Sequence, residues 1–242
     1  KSFNNYDIFF SPSIIHTREL QIKFKNSNKI ILETGYPKIE ELKKELINIK
    51  QLDNILIAPT WGSDSSLYSN KLIDIIQQLI KKKYHIIFRP HPMSLKKDQK
   101  KIKEILSKFK WYKKFELNDD KDNNKVILSA KVLITDWSGA AMEFSITKEK
   151  PSLFINTQQR VRNSSIKKND KILEKTFEYI CRNKLGVILD DENIFKIEEI
   201  LEDFYENENF YRKKILDFKK KFLYNCENSL DITISNITKL IN

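Results

Sequence analysis

Two short stretches hold the residue types that can grip an anion. The first is Asp136-Trp137-Ser138-Gly139, which follows the apolar run Val132-Leu133-Ile134 and precedes Ala140-Ala141-Met142-Glu143-Phe144. This order reads as a strand giving way to a helix. Gly139 lacks a Cβ, so a ligand can approach the backbone closely. Ser138 can cap the helix or give its hydroxyl to a phosphate oxygen. The free N–H groups of the first helical turn, aligned with the helix dipole, then form an anion site. A tight turn that binds nothing is built from the same residues, so the rest of the chain has to decide.

The second stretch is Arg89-Pro90-His91-Pro92, which ends the run Tyr84–Phe88. Prolines on both sides fix the histidine backbone and deny it a regular strand. An imidazole held in this way can donate to a phosphate oxygen or protonate a leaving phosphate. Arg89 can neutralise charge beside it or make an ordinary salt bridge. Glu143, in the first turns of the helix after Ser138, can accept hydrogen bonds from ribose hydroxyls; a solvated or capping carboxylate is the equal alternative. His85 lies within a strand pattern and reads as core or edge. His16, in the leading segment, receives no role.

The elements around these stretches repeat a pattern. Apolar runs ended by turn residues predict strands at 6–13, 29–37, 54–62 (closed by Pro59 and Gly62), 84–92, 131–138, 151–157 and 186–191. Between them, Leu72, Ile75, Ile76, Leu79 and Ile80 fall at helical spacing over 67–83, as do Ile102, Ile105, Leu106 and Phe109 over 95–109. Residues 139–147 predict a further helix, and 195–242 read as helical and heavily charged. Strands alternating with helices imply a doubly wound α/β fold, its parallel sheet covered on both faces. Such sheets bind ligands at the carboxyl ends of their strands. Thr60-Trp61-Gly62, Arg89–Pro92, Asp136–Gly139 and Asn156-Thr157 all belong there.

The totals set outer limits. The chain has 242 residues, with Lys+Arg 44 against Asp+Glu 33 and a formal net charge of +11. That balance favours phosphate-bearing polymers or an anionic membrane face. A compositional bias toward Lys, Ile and Asn would raise the charge with no partner at all. Nothing resembles a zinc finger or an RNA-recognition signature, so no nucleic acid partner is expected. Cys181 and Cys226 form no CxxC and read as free thiols in a reducing cytoplasm. Only His16, His85 and His91 supply imidazoles, and no HExxH occurs, so neither a metal nor another cofactor is expected. No apolar run reaches the roughly 20 residues of a membrane span. The chain opens at Lys1, which suggests a piece of something longer. The run 209–225 places Phe210, Ile215, Phe218 and Phe222 among basic residues, either as a membrane-facing surface or as a helix packing its aromatics on the domain.

In order along the chain, "ILIAPTWG" (55–62), "IIFRPHP" (86–92) and "VLITDWSGAAMEF" (132–144) resemble the CDP-glycerol glycerophosphotransferases, the teichoic-acid polymerase-like group. "ETGYPKIEEL" (33–42), "KPSLFINT" (150–157) and "ENSLDITISNITKLI" (227–241) extend the likeness over nearly the whole chain. The turn is Trp-Ser-Gly where Tyr-Ser-Ser is usual, and Glu143 stands in place of Asp. The resemblance implies a GT-B fold of two Rossmann-like domains. Residues 1–45 would then be the tail of the first domain and the link, 46–205 the donor-binding domain and 206–242 a closing helical segment. It further implies that Arg89 and His91 line a CDP-donor site and act in catalysis, that Ser138 and Gly139 hold the phosphates, that Thr60 and Trp61 border the pocket, and that Asp136 and Glu143 also bind the donor. The acceptor would be a lipid-linked anionic polymer at the inner face of the membrane, and CMP would be released. The family's first domain carries a WHG-type histidine as the base for the acceptor hydroxyl; no such motif occurs here, and the base would come from a part of the protein not in this chain. Two alternatives stay open: a GT-B glycosyltransferase using a nucleotide sugar for capsule or lipopolysaccharide, and a non-catalytic module that binds phosphate polymer or membrane.

Overall fold

The computed structural model describes residues 2–61, 67 and 68, 70–120, 124–158 and 174–241. Gly62, expected to close a strand, lies outside them. The sheet is the doubly wound one that the alternation of elements implies. It holds β3 (Asn54–Ile57), β4 (His85–Phe88), β5 (Phe115–Leu117), β6 (Val132–Thr135), β7 (Ser152–Ile155) and β8 (Gly186–Leu189). Their order is β5-β4-β3-β6-β7-β8, every pair parallel. β3, β6 and β7 are buried along their whole length, which is why they read as unbroken apolar runs. Strands β3 to β5 spread one way from the centre and β6 to β8 the other. The switch point therefore falls between β3 and β6, which pair Ile55 with Val132 and Ile57 with Ile134.

One face of the sheet is covered by α3 (Asn70–Lys81), α5 (Gln99–Phe109) and α9 (Ile197–Glu206). Leu72, Ile75, Ile76 and Leu79 of α3 join Ile102, Ile105, Leu201 and Phe204 over Ile55, Ile57, Ile86 and Phe88. On the other face, Leu56, Leu133 and Phe154 pack against α6 (Lys125–Ser129) and α7 (Ala140–Lys148) through Ile127, Ala141 and Phe144. Each leucine, isoleucine or phenylalanine among them contributes roughly 1.5–3 kcal/mol on burial. The helix expected over 95–109 is two: α4 (Pro92–Lys97), opened by a proline at its first position, and α5, with Asp98 between them at φ −111° and ψ 27°.

The leading segment forms a two-stranded parallel sheet of β1 (Ile8–Ser11) and β2 (Ile30–Glu33), joined by α1 (Ile14–Lys23) and followed by α2 (Pro37–Leu46). Both strands are shorter than the apolar runs suggest. Ser13 already caps α1 by accepting from the His16 N–H at 3.2 Å, and Gly35 turns the chain at φ +89°. A Cβ at Gly35 would lie 2.5 Å from the Tyr224 carbonyl oxygen, so only glycine fits.

The C-terminal stretch continues past α9 as α10 (Glu208–Phe222) and α11 (Ser229–Ile241). Ile215 and Phe218 are buried with Ile15, Ile39, Leu42, Ile146 and with Phe177 of α8 (Phe177–Lys184), so these α10 side chains pack on the domain, whereas Phe210 is 59% exposed. Lys219 donates to Glu149 at 2.9 Å and Arg212 to the same carboxylate at 2.8 Å, which ties α10 to the end of α7. Glu40 of α2 accepts from Ser229 Oγ at 3.2 Å and the Leu230 N–H at 3.1 Å, covering the start of α11. Among the described residues no helix is long and apolar enough to cross a membrane.

Candidate functional site

At the switch point the chain leaves β3 and β6 in divergent directions and opens a notch between them. Asp136 lies at its base. The residue is 0% exposed; Oδ1 accepts from the Thr60 N–H at 2.7 Å and Oδ2 from the Leu67 N–H at 3.2 Å. Burial pushes the carboxyl pKa up, opposed by these backbone donors and by those of Trp137 and Asp136 itself. The side chain expected to face a donor is thus turned inward, where it fastens the segment after β3 to the turn after β6.

The turn itself is open. Gly139 precedes α7 at φ −60°, a conformation any residue adopts, and a Cβ built on it meets nothing within 4 Å among the described residues. Neither strain nor packing demands glycine; its bareness leaves free space over the backbone. The N–H groups of Ser138 and Gly139 donate to no group among the described residues, while the Ala140 N–H donates to Ser138 Oγ at 3.3 Å. Bare amides at the positive end of a helix form a cradle for an anion.

On the neighbouring strand end, the Arg89 N–H donates to the Ile57 carbonyl at 2.8 Å and carries the β3–β4 ladder past Phe88. Burial lowers the Arg89 pKa, and the charges of Glu143 and Asp120 pull it back. The guanidinium therefore feels the carboxylate of α7 across the notch. Glu143 in turn has its pKa raised by burial, against the pull of Lys38, Arg89 and Tyr36, and its Oε1 accepts from Tyr36 Oη at 3.5 Å.

His91 is the N-cap of α4: its Nδ1 accepts from the Met93 N–H at 3.0 Å, and Pro92 fills the first helical position. Burial lowers the imidazole pKa. An accepting Nδ1 puts the proton of the neutral ring on Nε2, so the free edge of the ring is a donor. Trp61 lies over this ring with centroids 6.0 Å apart and 28° between planes, and Lys97 Nζ stands 5.4 Å from the indole. The carboxyl ends of the neighbouring strands β4, β3 and β6 thus carry Arg89 and His91, Thr60 and Trp61, and Ser138 and Gly139 along one edge of the sheet, with the charge of Glu143 felt by Arg89 and Asp136 buried beneath Thr60.

Sequence reasoning passed over two groups behind the turn, His16 and Arg182, which line a cavity together with Ser138 and Gly139. His16 has its pKa lowered by burial, with Glu178 opposing. Arg182 is pulled down to about 10 by burial, against the charge of Asp136. Nothing in the local pattern singles out Arg182, which lies with Phe177 and Cys181 on a helix of eight residues that the apolar spacing does not reveal. His85, meanwhile, bonds Glu116 at 2.7 Å between β4 and β5 and serves the sheet edge. Both cysteines are free thiols.

A doubly wound α/β domain with open helix-start amides, an arginine and a capped imidazole at the carboxyl ends of its strands defines a class of α/β domain with a polar edge at its switch point. Within that class, the chain belongs to the CDP-glycerol:poly(glycerophosphate) glycerophosphotransferase family, whose model matches residues 1–228. It is 26% identical over 176 residues to a teichoic acid glycerol-phosphate transferase of Staphylococcus aureus (strain NCTC 8325 / PS 47), covering 64% of this chain and 42% of that protein. A teichoic acid poly(glycerol phosphate) polymerase of Bacillus spizizenii (strain ATCC 23059 / NRRL B-14472 / W23) is 28% identical over 176 residues, with the same coverage of 64% and 42%. The chain thus spans less than half the length of these curated relatives. Its fold is similar to the solved structure of the wall teichoic acid polymerase TagF, with a TM-score of 0.61 at 22% identity, over 99% of this chain and 60% of that one.

Proposed function

We propose that this chain is the donor-binding part of an enzyme that moves glycerol phosphate from CDP-glycerol to a hydroxyl of a teichoic-acid-type polymer, releasing CMP. Family membership over residues 1–228 supports this reading. The observation that carries it to particular residues is the pair of bare amides at Ser138 and Gly139 under open space, with Arg89 and His91 on the adjacent strand end.

In such a transfer the acceptor oxygen forms a bond to the distal phosphorus of the donor as the bond to the CMP oxygen breaks. Negative charge spreads over the phosphoryl oxygens and onto the departing CMP, so positioning and electrostatics supply most of the rate. The cradle amides fix the diphosphate, Arg89 offsets its charge, and the Nε2–H of His91 donates to an oxygen as CMP leaves. Glu143, held by Tyr36, is placed for ribose hydroxyls. The acceptor's proton goes to a base in a second domain of a GT-B pair, which residues 1–45 would join to this one. The formal charge of +11 fits an anionic polymer and peripheral contact with an anionic membrane face.

Calorimetry with CDP-glycerol, followed by mass spectrometry of products from the full-length enzyme, tests the proposal. Binding weakened at least about tenfold by Ser138→Ala or His91→Ala is expected, with glycerol phosphate retained in the product. Transfer of a bare sugar from a nucleotide sugar would replace this reading by the glycosyltransferase one. Unchanged affinity in both variants would remove the donor assignment.

A further inference from the structure

Away from the strand ends that carry Arg89 and Ser138, the chain is most basic along α5 and its flanks, where 96–114 reads KKDQKKIKEILSKFKWYKK. The end of α5 meets the end of α3. There Gln77, Ile80 and Lys81 of α3, Lys108 and Phe109 of α5, and Trp111 beyond it line an open groove of about 370 Å³. Each helix ends just before the strand that follows it, α3 before β4 and α5 before β5. The groove therefore lies at the amino ends of these parallel strands, opposite the edge that carries Arg89 and His91.

Trp111 is 65% exposed. Its indole stands edge-on to Tyr112, with centroids 5.8 Å apart and 64° between planes, and Tyr112 Oη donates to the Tyr84 carbonyl at 2.8 Å. The ring is thus propped outward on a side chain fastened to the sheet. Exposed lysines surround it. Lys81, Lys108, Lys110 and Lys113 form no ion pair among the described residues, whereas the adjacent Lys82 is matched by Glu198. Lys114 donates to the Lys83 carbonyl at 3.3 Å, which brings two more lysines to the same end. The carboxylates of the two helices, Asp74 and Glu104, lie at least a turn further back, and Glu116 of β5 is engaged by His85.

An indole held in water among ammonium groups has a specific complement. Lysine stems lie along apolar surface while their heads reach a polar layer, and a tryptophan ring seats where lipid headgroups meet acyl chains. An anionic bilayer offers both layers in one partner, phosphates above an apolar interior. A soluble polyanion offers the charge alone.

We infer that this end of the sheet is a docking surface for an anionic bilayer, with Trp111 entering the headgroup layer and Lys81, Lys108, Lys110 and Lys113 against the lipid phosphates. The edge that carries Arg89 and Ser138 is then turned away from the bilayer. The inference gives the proposed membrane contact a place and needs no donor site, so its failure leaves the transfer reading intact.

Sedimentation with vesicles of phosphatidylcholine, alone or mixed equally with phosphatidylglycerol, tests it in the parent and in two triple variants. One is Lys108→Gln, Lys110→Gln, Lys113→Gln; the other is Lys213→Gln, Lys220→Gln, Lys221→Gln, which removes the same charge from α10. All six side chains are exposed, so both variants should fold, which circular dichroism checks. The parent is expected to bind the mixed vesicles only, the first variant at least about tenfold more weakly, and the second nearly as well as the parent. With brominated phosphatidylcholine in the mixed vesicles, tryptophan fluorescence should be quenched in the parent but not in Trp111→Phe, because Trp61 and Trp137 follow the carboxyl ends of their strands. Equal losses in the two lysine variants, no binding to mixed vesicles, or quenching that survives Trp111→Phe overturns the inference. Binding of inorganic polyphosphate through these lysines, without binding to vesicles, makes the partner a soluble polyanion and overturns it as well.

Discussion

On His91 the ring nitrogen Nδ1 serves the fold, and Nε2 carries the proposed chemistry. Nδ1 caps α4 through the Met93 N–H, so His91→Ala should cost about 1 kcal/mol of stability, read as a lower urea midpoint. His91→Asn restores an acceptor at the cap but cannot transfer a proton; it should keep the parent's stability while losing about 10²-fold or more in turnover. Gly139→Ala separates the same two effects. Open space and φ −60° predict unchanged or slightly raised stability, whereas a methyl group over the cradle should weaken CDP-glycerol at least about tenfold; an unaltered affinity would place the phosphates elsewhere. These residues were legible in the sequence because prolines, serine and glycine at a strand end mark backbone behaviour directly. Asp136 was legible as important, but its inward direction was not, since that depends on where Thr60 and Leu67 return. His16 and Arg182 were invisible for the same reason: they come from α1 and α8, far apart in the chain, and meet only after folding.

The elements that carry these residues were read well where burial imposes a pattern and poorly where it does not. β3, β6 and β7 are buried throughout and each carries three consecutive apolar residues, and α3 has a clear face, so each was found. The edge strand β5 is three residues, Phe-Glu-Leu, with a burial pattern of one half-buried and two exposed positions, and offers no periodicity to read. α1 buries only Ile15 and Thr17, and its helical form owes more to the Ser13 cap than to a stripe. Two predictions concern how elements are tied. Gly35→Ala forces a side chain into a left-handed position and against the Tyr224 carbonyl, and should cost at least about 2 kcal/mol, visible as a lowered denaturation midpoint. Glu149 links α7 to α10: burial raises its pKa, but hydrogen bonds from Lys219 and Arg212 outweigh this and hold it below the usual glutamate value. A depressed folded-state pKa means that its contribution is complete above the unfolded value near 4.5 and fades as pH falls through the folded one. Glu149→Gln should therefore lower stability by ~1 kcal/mol at pH 7 and narrow its gap from the parent as the pH falls below 4.

For the whole molecule, the formal charge of +11 means that the proposed association with anionic surfaces should depend on ionic strength. Sedimentation with anionic vesicles should fall steeply between about 50 and 300 mM salt, as the screening length shrinks below about 10 Å; salt-independent binding would point instead to apolar insertion. The leading segment, the sheet domain and α10 share one apolar cluster, a union that no single stretch of sequence discloses. Asp136 has a mechanical consequence at this scale. By riveting Thr60 and Leu67 to the floor beneath the Trp137 turn, it makes two lips of the notch travel as one piece. Any clenching around an incoming molecule must then come from outside this pair, as from the segment after β4, where His91 caps a helix only six residues long.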